Sequence, residues 1–429
     1  MKLFDWQQPL ADTLVKILAS EQVALDASDT GAGKTYVALD VMRTLNKRPL
    51  VICPRSGQTS WRRVAASFGV PLLDVITSQR LIYKNPYYIK KAWGIPDDSI
   101  IIWDEIHMGT SGPTTKTTEA LGRTKVYKVP VLALSATIAD SPLKLRGLGF
   151  LLGLHDYNNA SFKRWCLNHG CYPSPFAYGK LEFSKSRKGK VALAKIHTEI
   201  SDRMVRLRRE EIPDFPDGLI CSKLVDLDKR DTKEINKIYE EMDERLKRPA
   251  ANELVLRGQA REKTECYKVP AMVELVKEAL DAGTSPVIFV NYHSSRKALV
   301  AALEESGIKN VSQVYGARDN DPDIDAFQSN KNHVCVVITA AGGASINLHD
   351  LNSRPRVSYI TPGDSAVHLK QAFGRIHRTG GSSVVQTLLL AANTVEEKVH
   401  RNVQRKIMNI STLNDGLELT DSDLVVGDQ

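Results

Sequence analysis

Residues 23–39 read VALDASDTGAGKTYVAL, and this stretch determines the expected fold class and the first expected ligand. A short apolar segment of strand type precedes the glycines, and apolar residues at near-helical spacing follow them. The glycines let the backbone close around phosphate oxygens, so that successive N–H groups point inward at the start of a helix. Lys34 supplies positive charge for the β- and γ-phosphates of a nucleoside triphosphate. The expected nucleotide-binding residues are Thr30, Gly31, Ala32, Gly33, Lys34 and Thr35.

The composition is ordinary for a globular chain of two or three domains. The 429 residues are 42% apolar and 25% charged, and the six cysteines are scattered singly, as is typical of proteins in a reducing compartment. No apolar run approaches the roughly eighteen residues needed to span a bilayer, and the first ten residues do not resemble a signal peptide. We therefore expect a cytoplasmic protein without a membrane partner, and a nuclear location stays open.

The positive charge is concentrated in one segment. The chain has 58 Lys and Arg against 50 Asp and Glu, and residues 184–209 alone hold nine basic and two acidic residues. Such concentration predicts contact with a phosphate backbone, whereas the alternative is a solvated surface. Within this segment we expect nucleic-acid contacts from Arg206, Arg208 and Arg209.

Two sets of apolar runs predict two parallel sheets. The first set is VALDA, PLVICP, SIIIW and VPVLALSA; the second, after residue 265, is SPVIFVNY, HVCVVIT, RVSYIT and VVQTLLLAA. Helical patterns separate the runs, which is typical of an α/β fold with helices on both sheet faces. The expected divisions are a first lobe (1–150), a helical basic insertion and linker (151–264), a second lobe (265–410) and an acidic tail (411–429).

The sequence IIWDEIH (101–107) places Asp104 and Glu105 at the end of a hydrophobic strand, seventy residues after Lys34. Where a strand turns into a loop, adjacent side chains can divide two tasks. We expect Asp104 to hold Mg²⁺ together with the Thr35 hydroxyl. Glu105 would orient and deprotonate an attacking water.

The sequence QAFGRIHRTG (371–380) adds two arginines and a glutamine. Gln371, Arg375 and Arg378 stand at i, i+4 and i+7, which predicts one face of a helix. Guanidinium groups have the fork geometry that suits phosphate oxygens, so we expect them to act on the γ-phosphate. The expected catalytic residues are Lys34, Asp104, Glu105, Gln371, Arg375 and Arg378.

With Gln7, PRSGQTSW, ITSQR, SAT, FVNYHSS and TAAGGASINL, these motifs resemble in order and spacing those of superfamily 2 helicases. AAGGASINLHD, QAFGRIHRTG, SPLKLRGLGFLLGL and RMVRLRREEIPDFPD are further similar to the Swi/Snf-like branch of double-stranded DNA translocases. The resemblance covers about residues 1–412. It implies two RecA-like lobes that bind ATP between them.

The resemblance also implies roles for individual residues. Gln7 would read the adenine, with Gln8 as the alternative. A coupling group would link the state of ATP to the grip on nucleic acid: His107, Ser135 and Thr137. Nucleic-acid contacts would come from Arg55, Ser56, Thr77, Ser78, Asn291, Thr339, Gly342 and Gly343. Small hydroxyls and glycines suit phosphate contact without base readout, which predicts low sequence preference and strong salt dependence.

Several residues and loop lengths depart from the pattern of the Swi/Snf-like branch, and they narrow the class of translocase that we expect. Ser28 stands where the phosphate-binding pattern ordinarily begins with glycine, and Trp103 also occupies a position often filled otherwise. The loops between motifs are too brief for the insertions of nucleosome remodellers. The resemblance therefore implies a minimal translocase of a bacterium or of a virus-infected cell, similar to annealing helicases. It would use ATP and Mg²⁺ on duplex or branched DNA, alongside replication or recombination proteins.

Two alternatives stay open from the sequence. One is a strand-separating DNA or RNA helicase of the same superfamily. The other is a DNA-binding subunit whose ATP site serves only as a switch. The complete Asp104–Glu105 pair and the two arginines argue against a switch alone.

Overall fold

The computed structural model describes residues 1–83, 85–108, 115–175, 179–246, 253–316, 318–342, 346–363, 365–382, 384–394 and 396–416. These residues form two compact units. The first contains Met1–Asp214 together with residues 406–416, and the second contains Phe215–Arg405. None of the helices in the described ranges is both long enough and apolar enough to cross a membrane.

The first unit is built on a six-stranded parallel sheet in the order β10–β1–β7–β6–β2–β3. Its strands are β1 Val23–Asp26, β2 Arg48–Ile52, β3 Asp74–Ile76, β6 Ser99–Asp104, β7 Val131–Leu134 and β10 Met204–Val205. Two antiparallel pairs accompany the sheet: β4 Tyr88–Ile89 with β5 Ala92–Trp93, and β8 Cys171–Pro173 with β9 Leu181–Phe183. The helices are α1 Gln8–Ser20, α2 Lys34–Thr44, α3 Gln58–Phe68, α4 Ser78–Tyr83, α5 Lys116–Val126, α6 Arg146–Leu151, α7 Asn159–Asn168 and α8 Arg187–Ile200.

The central strands read as continuous apolar runs because both faces of the sheet are covered. Leu25 and Trp103 lie in the hydrophobic cluster on one face, whereas Ala24 and Ile102 lie in the cluster on the other. This division follows from the alternation of side chains along a strand. Because every strand is parallel, all carboxyl ends meet at one edge, where the polar loops begin.

The second unit repeats the architecture with the strand order β11–β16–β15–β12–β14–β13, again fully parallel. Its strands are β11 Gly218–Val225, β12 Ser285–Val290, β13 Val311–Val314, β14 Val334–Ile338, β15 Arg356–Ile360 and β16 Val384–Ala391. Its helices are α9 Lys229–Leu246, α10 Glu253–Tyr267, α11 Val269–Asp281, α12 His293–Glu305, α13 Asp321–Gln328, α14 Thr339–Gly342, α15 Ala366–Phe373 and α16 Glu396–Asp415. The expected α/β class with two parallel sheets is therefore confirmed.

The structure divides the middle of the chain differently from the sequence-based expectation. Residues 151–264 are shared between the two units instead of forming an insertion of their own. β10 pairs with β1 at the edge of the first sheet, and β11 pairs along its whole length with β16 at the edge of the second. Both are edge strands, and β11 is exposed over much of its length, so neither shows the long apolar run of a central strand.

The C-terminal residues also differ from the expected tail of residues 411–429. Helix α16 runs for 20 residues, begins in the second unit and ends in the first. Residues 411–415 therefore belong to a helix, and residues 417–429 lie outside the described residues. Gly416 follows with φ of 69°, the left-handed conformation in which glycine commonly ends a helix.

A buried ion pair fixes the start of α16 in the second unit. Lys268 Nζ lies 2.8 and 2.9 Å from the two carboxylate oxygens of Glu396. Both residues are buried. Glu396 also accepts a 2.8 Å hydrogen bond from the backbone N–H of Ala391. The pair is thus surrounded by protein, and removal of one partner leaves an uncompensated charge.

We expect Lys268→Met to lower the free energy of unfolding by about 3–5 kcal/mol, because Glu396 would remain buried without its cation. Urea-induced unfolding followed by circular dichroism measures the change. Lys277→Met is the matched control, since Lys277 pairs with Glu274 at the surface and such pairs contribute about 0–1 kcal/mol. Equal midpoints for the two variants would contradict the structural role of the buried pair.

Candidate functional site

The glycine-rich loop (residues 27–33) connects β1 to α2 at the carboxyl edge of the first sheet. Gly33 caps α2 with φ of 77°, and a Cβ atom there would lie 2.3 Å from Gln7 Nε2. Lys34, the first residue of α2, turns its ammonium group back over the loop. Lys34 Nζ donates to the carbonyl oxygens of Ser28 at 2.8 Å and Asp29 at 3.1 Å. The loop and ammonium therefore form the cradle that the sequence predicts.

Buried and half-buried carboxylates surround the Lys34 ammonium. Burial lowers the pKa of Lys34, and the charges of Asp26, Glu105, Asp104 and Asp29 oppose that shift. Burial likewise raises the pKa of the Asp26 carboxyl, which Lys34 partly offsets. The Asp26 Oδ1 atom accepts from the Ser28 N–H at 2.9 Å, whereas Oδ2 has no hydrogen-bond partner among the described residues. The ammonium is thus the main positive charge facing a group of acids.

Asp104 and Glu105 have different partners on either side of the point where the strand ends. β6 ends at Asp104, and Glu105 has φ of 51°, a left-handed conformation that is costly for this residue type. Asp104 Oδ2 accepts a 2.9 Å hydrogen bond from the indole N–H of Trp61. Burial and the neighbouring Glu105 charge raise the pKa of Asp104 to about 6, against the opposing effects of Trp61 and Lys34.

His107 joins the loop after β6 to the loop after β7. Its Nδ1 atom lies 2.8 Å from Ser135 Oγ, 3.4 Å from Thr137 Oγ1 and 3.4 Å from Glu105 Oε2. Ser135 Oγ in turn accepts from the Thr137 N–H at 3.2 Å. The three residues expected to form a coupling group are therefore in contact with one another, and His107 also contacts Glu105.

The structure distinguishes the two N-terminal glutamines. Gln7 is 3% exposed, and its Nε2 atom donates to the carbonyl oxygen of Ala32 in the glycine-rich loop at 3.1 Å. Its Oε1 atom accepts from the Phe4 N–H at 3.1 Å. Gln8 instead lies at the surface and donates to Asp12 at 2.9 Å. Gln7 is the one placed beside the nucleotide cradle.

The expected nucleic-acid residues of the first unit follow two adjacent strands. Arg55 and Ser56 come after β2 and are exposed, and Thr77 and Ser78 come after β3 and are half-buried. The two loops are joined where the Cys53 N–H donates to the Ile76 carbonyl oxygen at 3.0 Å. The four side chains thus lie at one part of the same carboxyl edge.

The structure contradicts part of the nucleic-acid role expected for the basic segment (residues 184–209). Arg206 has a side chain only 12% exposed, and it binds the carboxylates of Asp29 at 2.9 Å and Asp415 at 2.7 Å. The Arg209 N–H also donates to Asp29, and burial lowers the pKa of the Arg209 side chain. Only Arg208 lies at the surface, in an ion pair with Glu211. Pairing of β10 with β1 brings this segment against the glycine-rich loop, so Arg206 is not displayed for a nucleic-acid backbone.

In the second unit, Asn291 follows β12 and Thr339 follows the adjacent strand β14. Thr339 Oγ1 donates to the Val290 carbonyl oxygen at 3.1 Å. Asn291 Nδ2 donates to Glu265 Oε2 at 2.8 Å and to the Thr361 carbonyl oxygen at 3.0 Å. Asn291 and Thr339 line a cavity of about 240 Å³.

The sequence predicts nucleic-acid contacts from two glycines near Thr339. Gly342 is the last residue of α14, and Gly343 lies outside the described residues.

The expected helix over Gln371, Arg375 and Arg378 is too long. α15 ends at Phe373 with Gly374 as its cap, so both arginines lie in the following loop. The loop nevertheless brings them together, because Arg375 Nη1 and Arg378 Nη2 donate to the same carbonyl oxygen of Ile346, at 3.3 and 3.2 Å. Gln371 and Arg375 are only 2% and 1% exposed, whereas Arg378 is half-buried.

Sequence reasoning missed two residues that support the site. Trp61 holds Asp104, and its position in PRSGQTSW is a motif signal that could have directed attention to it. Glu265 holds Asn291 from α10, a region without any motif.

Comparison with known proteins identifies the family. The chain is 31% identical to a protein of Acanthamoeba polyphaga mimivirus that is provisionally named an ATP-dependent RNA helicase, over 97% of this chain and 84% of that protein. The chain belongs to helicase superfamily 2. This helicase is accordingly a nucleic-acid-dependent ATPase. No protein-family model matches it.

Solved structures support the fold of the helicase. S. cerevisiae Dbp5 bound to RNA and ADP BeF3 matches over 96% of this chain and 88% of that chain, with TM-score 0.54 and 14% identity. With the two parallel sheets, this likeness confirms the predicted pair of RecA-like lobes. The Sulfolobus solfataricus SWI2/SNF2 ATPase core in complex with dsDNA matches over 99% of this chain and 96% of that chain at 18% identity. Its TM-score of 0.39 does not by itself establish a common fold.

We expect Glu105→Gln to retain nucleotide affinity but to lower ATP turnover by about 10²–10⁴-fold, the usual contribution of a positioned general base. Steady-state turnover and binding of a fluorescent ATP analogue measure the two properties. Glu119→Gln is the matched control, because Glu119 forms ion pairs with Lys91 and Arg123 on the same unit. Turnover close to wild type in Glu105→Gln would refute the assignment of the base.

Arg378→Ala should lower turnover by about 10³-fold or more while nucleotide affinity changes little, because an arginine acting on the γ-phosphate works mainly in the transition state. Single-turnover hydrolysis at saturating ATP tests this expectation. Arg318→Ala, which removes an arginine paired with Asp323 in the same unit, is the control. The assignment fails if both variants hydrolyse ATP at the same rate.

Proposed function

We propose that this helicase is an ATP-driven translocase on duplex DNA that remodels forks or branched junctions by annealing or branch migration. The observation that carries the proposal is the contact of His107 with Ser135, Thr137 and Glu105. An ATP-driven translocase needs a contact between the carboxylate that activates the attacking water, here Glu105, and the loops that respond to the state of ATP, here the loop after β7. The order of the motifs, which is similar to that of the Swi/Snf-like branch, supports duplex DNA as the track.

ATP binding would rest on Lys34 and the glycine-rich loop, with Gln7 at the adenine. The donors present suit Mg²⁺, because the Thr35 hydroxyl and the Asp104 carboxylate are the hard oxygen ligands that this ion prefers. When bound, Mg²⁺ would offset the charge of the β- and γ-phosphates. Glu105 would orient the attacking water and accept its proton.

Gln371, Arg375 and Arg378 would complete hydrolysis by stabilising the charge that develops on the γ-phosphate. Arg378, which is half-buried, would contact the phosphate, and the buried Arg375 would hold it in place through the Ile346 carbonyl oxygen that both guanidinium groups share. Arginine suits the task because its planar fork matches two phosphate oxygens at once.

The nucleic-acid backbone would run along the carboxyl edges, over Arg55, Ser56, Thr77 and Ser78 in the first unit. In the second unit it would meet Asn291, Thr339, Gly342 and Gly343. The hydroxyl groups among these residues contact phosphate oxygens without reading bases, which predicts little sequence preference. Arg208 would add one exposed positive charge, and binding would weaken steeply as salt rises.

A strand-separating RNA helicase is the second candidate. The provisional name of the mimivirus relative favours it. RNA recognition would require contacts to 2′-hydroxyl groups or to splayed bases. The viral source of that relative also supports action in an infected cell, beside replication or recombination proteins.

We expect ATP turnover to rise at least tenfold with duplex DNA or a four-way junction, and less with single-stranded DNA or RNA. Turnover is measured with each nucleic acid at equal nucleotide concentration, and Glu105→Gln provides the background rate. Stimulation by RNA alone would overturn the proposal in favour of the second candidate. Intact ATP binding without turnover on any nucleic acid would instead indicate an ATP-switched subunit.

A further inference from the structure

The pairing of β1 with β10 continues beyond the strands into the glycine-rich loop. The Ala27 N–H donates to the Val205 carbonyl oxygen at 2.9 Å, and the Asp29 N–H donates to the Leu207 carbonyl oxygen at 3.0 Å. In the reverse direction, the Leu207 N–H donates to Ser28 Oγ at 3.1 Å. The first half of the loop is therefore held by the backbone that follows β10.

The Arg206 side chain adds a clamp to this pairing. Its Nη1 atom donates to the Ala27 carbonyl oxygen at 2.7 Å and to Asp29 Oδ1 at 2.9 Å. Its Nε atom donates to Asp415 Oδ1 at 2.7 Å, and its Nη2 atom to Asp415 Oδ2 at 3.4 Å. The side chains of Arg206, Asp29 and Asp415 are only 12%, 11% and 10% exposed. One largely buried guanidinium thus joins the glycine-rich loop to the end of α16.

Asp29, which Arg206 binds through its side chain, also contacts Lys34 through its backbone. Its carbonyl oxygen accepts from Lys34 Nζ at 3.1 Å and from the Ala32 N–H at 3.2 Å. The orientation of the Asp29 peptide therefore affects both the lysine ammonium and the loop N–H groups that would meet phosphate oxygens. Arg206 holds the side chain of the same residue.

The end of α16 is anchored independently of Arg206. Asn414 Nδ2 donates to the Ala136 carbonyl oxygen at 2.8 Å, and Asn409 Nδ2 donates to the Asp140 carbonyl oxygen at 3.1 Å. Leu413 is fully buried in the core of the first unit. Gly416 then ends the helix against His197, where a Cβ atom would approach to 2.6 Å. Asp415 is consequently presented to Arg206 from a fixed position.

An aspartate in the last turn of a helix is unfavourable in itself, because the C-terminal end of a helix carries partial negative charge. Burial adds to this cost unless the carboxylate is paired. Helix stability therefore does not explain Asp415 at this position, whereas its two contacts with Arg206 do.

We propose that Arg206 and Asp415 are positioning residues for nucleotide binding. The end of α16 holds Arg206 against Asp29 and thereby sets the glycine-rich loop for the phosphates of ATP. This role is independent of whether the nucleic acid is DNA or RNA.

Asp415→Asn tests the proposal, since it keeps the shape of the side chain and removes its charge. We expect the Kd of a fluorescent ATP analogue and the KM for ATP to rise about tenfold, as on loss of a hydrogen bond to a charged group. The kcat at saturating ATP and nucleic acid should stay within about twofold, because Arg206 does not touch the reacting groups. Asp415→Glu, which retains the carboxylate, should restore most of the affinity.

Asp98→Asn is the matched control. Asp98 also binds one arginine through both oxygens, with Arg48 Nε at 2.7 Å and Nη2 at 3.0 Å, but at the surface of the first unit. The Asp98→Asn variant should leave Kd and KM unchanged. Arg206→Lys keeps the positive charge but loses the planar fork of the guanidinium group, so it should raise Kd as Asp415→Asn does. This variant replaces Asp415→Asn in the test if Asp415→Asn does not fold.

Thermal melting within a few degrees of wild type would show that a variant is folded. Unchanged Kd in the folded variants, an equal rise in Asp98→Asn, or a fall in kcat without a rise in KM would each overturn the proposal.

Discussion

The contact of the half-buried Lys34 ammonium with the surrounding carboxylates is the interaction on which the first unit depends. The ammonium lies among the carboxylates of Asp26, Asp29, Asp104 and Glu105, and Arg206 adds a second positive charge at Asp29. Isolated buried charges are costly, and a group of opposite charges is tolerated only when its members are held in fixed positions. The parallel sheet provides that fixation, since Asp26 and Asp104 end β1 and β6, and Asp29 and Glu105 follow these strands at the same edge.

The carboxyl edge of the first sheet also brings together the groups that would link ATP hydrolysis to movement of the loops. Glu105 lies in a left-handed conformation directly after β6, and His107 connects its loop to Ser135 after β7. These loops follow neighbouring strands and touch through His107, so under the proposed mechanism a shift at Glu105 would be passed to the loop after β7. The Trp61 hydrogen bond to Asp104 extends the contact to α3, which follows Arg55 and Ser56. Asp104 is thus in contact with the helix that directly follows two of the expected nucleic-acid residues.

The central parts of both sheets were predictable from sequence because strands covered on two faces read as unbroken apolar runs. The glycine-rich loop and the Asp104–Glu105 pair follow such strands and were located with them. β3, β10, β11 and β13 were not predicted. Short strands and edge strands bury too few side chains to require a long run of apolar residues in the sequence. The helix expected to carry Arg375 stopped at Phe373, because the spacing of the polar residues did not reveal the cap at Gly374. Arg206 was misassigned because its partner Asp415 lies 209 residues away, and no local pattern indicates such a contact.

The affinity of the helicase for duplex DNA in three nucleotide states is the most direct test of coupling between ATP and grip. Fluorescence anisotropy at fixed salt would measure the Kd without nucleotide, with ADP and with a non-hydrolysable ATP analogue. A motor that couples ATP to grip predicts a difference of about 5–150-fold between the ADP and ATP-analogue states, the usual range for coupled sites. Equal affinities in all three states, with nucleotide occupancy verified, would contradict the coupling through His107.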